Sequence, residues 1–211
     1  MYLGWYKSLE WFKRTKRVRR ILFVCSGNSC RSPTAEYYFN RIAHWLKGVR
    51  AFSRGTEVGR IMAILKSRGI DIKHLMVEDE VKRVIGDKTS SFLKKHRARQ
   101  VSAKDVVKAD LVLTMEKSAR DLLRAEYSGM AYKIFTLKGF IEQTDHMPAA
   151  DLNIGNPFIP PVIREEKGII IGRIGYYRYI QNYRVILEMI EGYVRRLIEI
   201  IYLLEEEKKR Q

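Results

Sequence analysis

Apolar positions in this chain fall into short runs separated by longer amphipathic stretches. Ile21-Leu22-Phe23-Val24 and Leu111-Val112-Leu113-Thr114-Met115 are four or five residues long and carry no charge. Runs of that length and β-branched content read as buried central strands. The same pattern predicts strands at 20–24, 49–52, 111–115 and 133–136. Between them, apolar residues recur at helical spacing over 33–46, 59–68 and 118–127, and a last helix covers 175–206. Strands that alternate with helices imply an α/β fold: a doubly wound four-stranded parallel sheet with flanking helices. No internal repeat is present.

Three stretches stand apart from that alternation. In residues 1–19, Tyr2, Trp5, Tyr6, Leu9 and Phe12 share one face of a helix. Lys13-Arg14-Thr15-Lys16-Arg17-Val18-Arg19-Arg20 follows, with six positive charges in eight residues. Three readings fit this leader: a helix packed on the C-terminal helix with its basic tail solvated, an interfacial helix on an anionic membrane surface, or a contact with nucleic acid. In the last helix Tyr183, Leu187, Ile190, Val194, Leu197, Ile201 and Leu204 alternate gaps of four and three. That stripe suits either core packing or a dimer seam. Residues 73–95 are dense in charge, with Glu78-Asp79-Glu80 and Lys82-Arg83, and are expected to form a solvated helix and loop. The expected organisation is therefore a leader (1–19), one domain (20–206) carrying the insert, and a tail (207–211).

Composition narrows the class. The 211 residues are 46% hydrophobic, ordinary for a globular protein. No apolar run approaches the roughly 18–20 residues of a membrane span. The N-terminus shows no signal-peptide apolar core, so a cytoplasmic location is expected, peripheral to a membrane if the leader binds lipid. The two cysteines, Cys25 and Cys30, lie five residues apart, which is no secreted disulfide framework. The four histidines lack metal-ligand spacing, and neither a metal nor a cofactor is expected. A net charge of +16 attracts anions without choosing among phosphoproteins, lipid and nucleic acid.

The chemistry lies where the first strand ends. Cys25-Ser26-Gly27-Asn28-Ser29-Cys30-Arg31-Ser32-Pro33 places Cys25 and Arg31 at Cys-x5-Arg spacing between a strand and a helix. Backbone N–H groups in such a turn converge into an anion nest, reinforced by the positive end of the helix dipole. The same field favours a thiolate at Cys25, which makes it a nucleophile. Arg31 offers a planar fork to two phosphate oxygens, and Ser32 can donate its hydroxyl to the Cys25 sulfur. Residues 26–32 (Ser26, Gly27, Asn28, Ser29, Cys30, Arg31 and Ser32) form the expected phosphate or oxyanion cradle.

This string resembles the signature Cys-x-Gly-Asn-x-Cys-Arg-Ser-Pro of the low-molecular-weight protein tyrosine phosphatase family. Thr34-Ala35-Glu36, Ser53-Arg54-Gly55-Thr56, Gly69-Ile70-Asp71, His96-Arg97-Ala98-Arg99-Gln100 and Ala109–Met115 extend the likeness over roughly residues 20–200. The resemblance implies a cysteine-dependent phosphatase acting on a phosphorylated protein through a phosphocysteine intermediate, with the phosphate loop after the first strand. It also implies that Cys30 can trap an oxidised Cys25 as a disulfide, and that His96 is a structural donor near the loop. The intact loop argues against a nucleic-acid binder.

One position departs from the family pattern. The family's general acid is the Asp of an Asp-Pro pair, and here the matching pair is Asn156-Pro157, followed by Phe158. Three explanations compete: Asp151 swings in as the acid; the leaving group needs no acid; or turnover is slow and the protein chiefly binds phosphate groups. Ser29 bears on the substrate. Tyrosine-specific members carry a bulky aliphatic there and protein-arginine phosphatases a Thr, so phosphotyrosine and phosphoarginine both stay open, with Phe158 favouring an aromatic ring. A thioredoxin-coupled arsenate reductase needs a further cysteine after Cys30 and finds none; a small-thiol-coupled one remains as an alternative.

Overall fold

The computed structural model describes residues 3–70, 73–86, 91–147, 151–157 and 169–210, with side chains of the last segment from residue 181 onward. Four strands, β1 (Arg20–Cys25), β2 (Arg50–Gly55), β3 (Leu111–Thr114) and β4 (Ile134–Thr136), form one sheet in the order β2-β1-β3-β4. All three pairings are parallel, with Leu22 opposite Phe52 and Val112, and Cys25 opposite Gly55. β1 and β3 are central and buried on both faces, which is why they read as continuous apolar runs.

The helices divide between the two faces. On one, Ile21, Phe23, Leu111 and Leu113 pack with α3 (Arg31–Ile42), α9 (Leu137–Glu142) and α10 (Ile169–Lys209). On the other, Leu22, Val24, Val112 and Ile134 meet Val106 of α7 (Ala103–Lys108) and Leu123 of α8 (Lys117–Glu126). α4 (Val58–Ser67) follows β2. A doubly wound sheet of this kind leaves its ligand crevice at the carboxyl ends of the strands, where β1 delivers Cys25.

Element ends moved where tertiary contacts overrode local pattern. α3 begins at Arg31, two residues before Pro33, because a missing N–H costs nothing anywhere in a first turn. It stops at Ile42, and residues Ala43–Trp45 continue as a 3-10 turn. β2 runs on to Gly55 because its pairing with β1 extends to Cys25.

The leader is two short helices, α1 (Gly4–Ser8) and α2 (Glu10–Arg14), rather than one. Leu9 is extended between them. The break swings Tyr6, Trp11 and Phe12 to one side, where all three are buried around Phe140 and the end of α10. The Trp11 indole donates to the Asp110 carbonyl at 2.7 Å, Lys7 pairs with Glu207, and the Lys208 ammonium stands 4.3 Å from the Phe12 ring centre. Tyr6, Trp11 and Phe12 thus face the core and not solvent; Tyr2, on the same expected face, lies outside the described residues. No helix among the described residues is long and apolar enough to cross a membrane.

The α10 stripe from Tyr183 to Leu204 is likewise buried within this chain, so it is core and not a dimer seam. The insert also departs from expectation. Its helices α5 (Asp79–Ile85) and α6 (Ser91–Lys95) bury Val81 and Leu93 against α3 and α10, and Val77 is buried just before them. It is part of the fold, and it carries Glu78 to the end of the sheet.

Candidate active site

The turn between β1 and α3 is organised by Asn28. It adopts φ +53°, a left-handed conformation that asparagine tolerates, and its side chain is fully buried. Its backbone N–H donates to Cys25 Sγ at 3.2 Å. Its side-chain amide donates to Ser32 Oγ at 3.0 Å and to Ser53 Oγ at 2.9 Å. Its Oδ1 accepts from the Arg99 backbone at 3.0 Å, and its carbonyl accepts from His96 Nε2 at 3.0 Å. A carbonyl only accepts, so His96 carries its proton on Nε2. Burial outweighs that bond and lowers the pKa of His96.

Ser32 Oγ lies 3.0 Å from Cys25 Sγ and 3.2 Å from the Arg54 carbonyl. It accepts from Asn28, so its one proton serves the sulfur or that carbonyl. Behind it, Ser53 donates to Glu36 at 2.6 Å. Burial pushes the Glu36 carboxyl up to about 7, against the lowering effects of the Ser53 bond and Arg54. Gly55 closes the rear of the loop. A Cβ there would stand 2.5 Å from the Ser26 carbonyl and 3.0 Å from the Asn28 nitrogen, so only glycine allows this approach.

Arg31 is buried, and three partners fix its fork. Nη1 donates to Glu116 at 2.5 Å and to the Ile154 carbonyl at 2.9 Å, and Nη2 to Ser26 Oγ at 3.3 Å. The Ile154 N–H in turn donates to the Met115 carbonyl at 2.8 Å, and Asn153 accepts from the Lys117 N–H at 2.8 Å. These contacts dock residues 151–157 on the end of β3 and bring Asn156 to the cavity above Cys25.

That cavity measures about 380 Å³. Of the predicted cradle residues, Ser26, Gly27, Ser29, Cys30 and Arg31 line it with Cys25, while Asn28 and Ser32 stand behind the loop. The walls are Ile61, Ile64 and Leu65 of α4 with Arg68, then Leu75 and Glu78 of the insert, and Asn156. Ser29 and Glu78 clamp each other at two points. The Ser29 hydroxyl donates to Glu78 Oε1 at 2.9 Å, and the Glu78 N–H donates to the Ser29 carbonyl at 3.0 Å. The other Glu78 oxygen accepts from Tyr183 Oη.

The structure does not bring Asp151 to this cavity. Its carboxylate pairs with Lys138 at 2.8 Å and accepts from the Asn153 N–H at 3.1 Å, and these bonds hold it below the usual carboxylate range. An exposed, ionised, paired aspartate is no proton donor, which corrects its expected role as the acid. Asn156 lines the cavity with Cys25. Phe158 lies outside the described residues.

Cys25 and Cys30 are both free and buried. Burial foremost, with the Glu78 carboxylate next, pushes the Cys30 thiol well above its ordinary range. Sequence reasoning named Glu36, Ser53, Gly55 and Glu78 only within longer stretches, with no role at the site, and passed over Glu116. For Glu78 one signal existed: Val77 and Val81 flank it at helical spacing within a run of charge.

Residues 20–210 match the family model described as low molecular weight phosphotyrosine protein phosphatase. A protein-arginine-phosphatase of Geobacillus stearothermophilus is 28% identical over 167 residues, covering 74% of this chain and 93% of the relative. The low molecular weight protein-tyrosine-phosphatase PtpB of Staphylococcus aureus is 31% identical over 124 residues, 59% of this chain and 75% of the relative. Among solved structures, the YwlE arginine phosphatase from G. stearothermophilus superposes with a TM-score of 0.63 at 26% identity, covering 92% of this chain and 97% of that one. A low molecular weight protein tyrosine phosphatase from T. tengcongensis gives 0.61 at 28% identity, over 85% and 97% of the two chains.

Proposed function

The chain belongs to the low molecular weight phosphotyrosine protein phosphatase family, and from that premise we propose that it hydrolyses phosphorylated protein side chains, phosphotyrosine or phosphoarginine, in two steps at Cys25. The observation that carries this reading is the Cys25 sulfur at the carboxyl end of β1, 3.2 Å from the Asn28 N–H and 3.0 Å from Ser32 Oγ. In the first step the Cys25 thiolate attacks phosphorus and a phosphocysteine forms. The nest N–H groups and Arg31 hold the equatorial oxygens as charge redistributes. Ser32 shares its proton with sulfur and eases its departure when water cleaves the intermediate. No step needs a metal.

Arg31 is held in place before substrate arrives, with Glu116 and Ile154 on one nitrogen and Ser26 on the other. Such preorganisation avoids reorganisation during the reaction, which is where electrostatic catalysis gains its advantage. The leaving-group side is built differently. A phenolate departs with a pKa of about 10 and normally draws on a general acid. Asn156 cannot supply that proton, so the reaction favours leaving groups that depart without one.

A second reading rests on the same residue: without an acid, the protein is a phosphate-reading module with little turnover. Hydrolysis of phosphotyrosine and phosphoarginine peptides by wild type beside Cys25→Ser separates the two. The phosphatase reading expects turnover that falls by more than about 1,000-fold in the variant, with a phosphocysteine trapped on wild type by rapid acid quench. Vanadate binding with no Cys25-dependent turnover would establish the binding module instead.

A further inference from the structure

Glu78 puts a carboxylate on the wall of the cavity that Cys25 floors. Both its oxygens are taken by hydroxyls, Ser29 on one and Tyr183 on the other. This fixes the direction of the Ser29 hydroxyl. Its only proton points to Glu78, so toward the cavity Ser29 has lone pairs alone. Ser29 and Glu78 therefore form an acceptor-only, negatively charged wall beside the phosphate cradle. An aryl ester oxygen also has only lone pairs, and it gains negative charge as it leaves. It meets like against like on that wall. A guanidinium meets it with N–H donors and a positive charge.

We propose that Glu78 is a specificity-determining residue that, through Ser29, selects a guanidinium leaving group, so the preferred substrate is phosphoarginine within a protein. This rests on the two-step reaction at Cys25. Asn156 supports it independently. In the first step the thiolate pair forms the S–P bond while the P–N bond breaks and leaves its pair on nitrogen. The departing guanidinium thereby becomes a neutral guanidine, with no anion to protonate in flight. It takes its proton from solvent afterwards. Water then adds to phosphorus, the S–P pair returns to sulfur as thiolate, and the proton that this water loses balances the one the guanidine gained. Arg68, the other charged residue on the cavity wall, is exposed and pairs with neither group.

The test compares kcat/KM for phosphoarginine and phosphotyrosine in one peptide sequence, for wild type, Glu78→Gln, Ser29→Ala and the double variant. Gln keeps the shape and the acceptor for Ser29 but removes the charge. Wild type is expected to prefer phosphoarginine. Glu78→Gln is expected to cut the phosphoarginine-to-phosphotyrosine ratio about tenfold, the scale of one charge-assisted hydrogen bond. Because Glu78 acts through Ser29, the double variant should be no worse in that ratio than the worse single one. A wild-type preference for phosphotyrosine would overturn the proposal. So would equal losses on both peptides, or additive losses in the double variant, since Glu78 would then only prop the loop. Cys25-dependent turnover of neither peptide would strike the phosphatase reading itself.

Discussion

Two segments face each other across the same cavity, and they are built to different standards. The phosphate loop, 25–32, is over-determined: every polar group of Asn28 has a partner, and Arg31 is clamped from both nitrogens. The opposite segment, 151–157, is docked on β3 but places an amide where an acid is expected, and its carboxylate, Asp151, is turned away to Lys138. The half that holds the phosphoryl group keeps the family's chemistry. On our reading, the half that handles the leaving group differs, with the amide of Asn156 at the cavity where the family pattern has an acid. Binding an oxyanion and expelling a leaving group are thus separable properties of this site.

The strongest way to probe the first half is through its buried support. Glu36, with its carboxyl raised to about 7, is proton-bound in the folded state over a range where the unfolded chain has already ionised. A raised carboxylate makes the folded state the greater proton binder, so stability falls as pH rises from about 4.5 to 7. The loss comes to about 3 kcal/mol for this displacement. Glu36→Gln, which keeps an acceptor for Ser53, should remove that fall. Urea melts at pH 4 and pH 8 should show the variant gaining about 3 kcal/mol on wild type between them. An unchanged difference would mean that Glu36 ionises freely.

Gly55→Ala comes next in size. Its Cβ would push on the Ser26 carbonyl and the Asn28 nitrogen. We expect a stability loss of about 2 kcal/mol, as for other overpacked sites, with vanadate affinity falling alongside. Full vanadate affinity would show that the loop shape does not depend on this contact. The smallest effect sharpens the other half. Asp151→Asn should change kcat/KM on phosphotyrosine peptide by less than about twofold, since exposed ion pairs contribute little. A tenfold loss would return Asp151 to the chemistry.

The difference between the halves also governs how far the sequence could be read. β1, β3 and the phosphate loop were legible because their signals are contiguous: an apolar run and, directly after the first, the full string from Cys25 to Pro33. The cavity wall was not. Glu78 sits in a charged insert where Glu78, Asp79 and Glu80 look equally solvated, and it is turned inward by contacts distant in sequence: its bonds with Ser29 and Tyr183, beside the buried Val77 and Val81. Asp151 misled for the same reason: proximity in sequence to Asn156 says nothing of Lys138, which comes from α9. In the leader, helical spacing groups Tyr6 and Phe12 on one face and leaves Trp11 off it, whereas the break at Leu9 lets Tyr6, Trp11 and Phe12 all reach the core.

The central claim, a complete phosphate cradle without a general acid, is tested most directly by a series of aryl phosphates whose phenols span a range of pKa. In wild type, log kcat/KM should fall steeply as the leaving-group pKa rises, because the phenolate departs unprotonated. Asn156→Asp should flatten that slope and raise the rate most for the poorest leaving groups. A flat profile in wild type, unmoved by Asn156→Asp, would contradict the account, because a proton would then be reaching the leaving group from somewhere else.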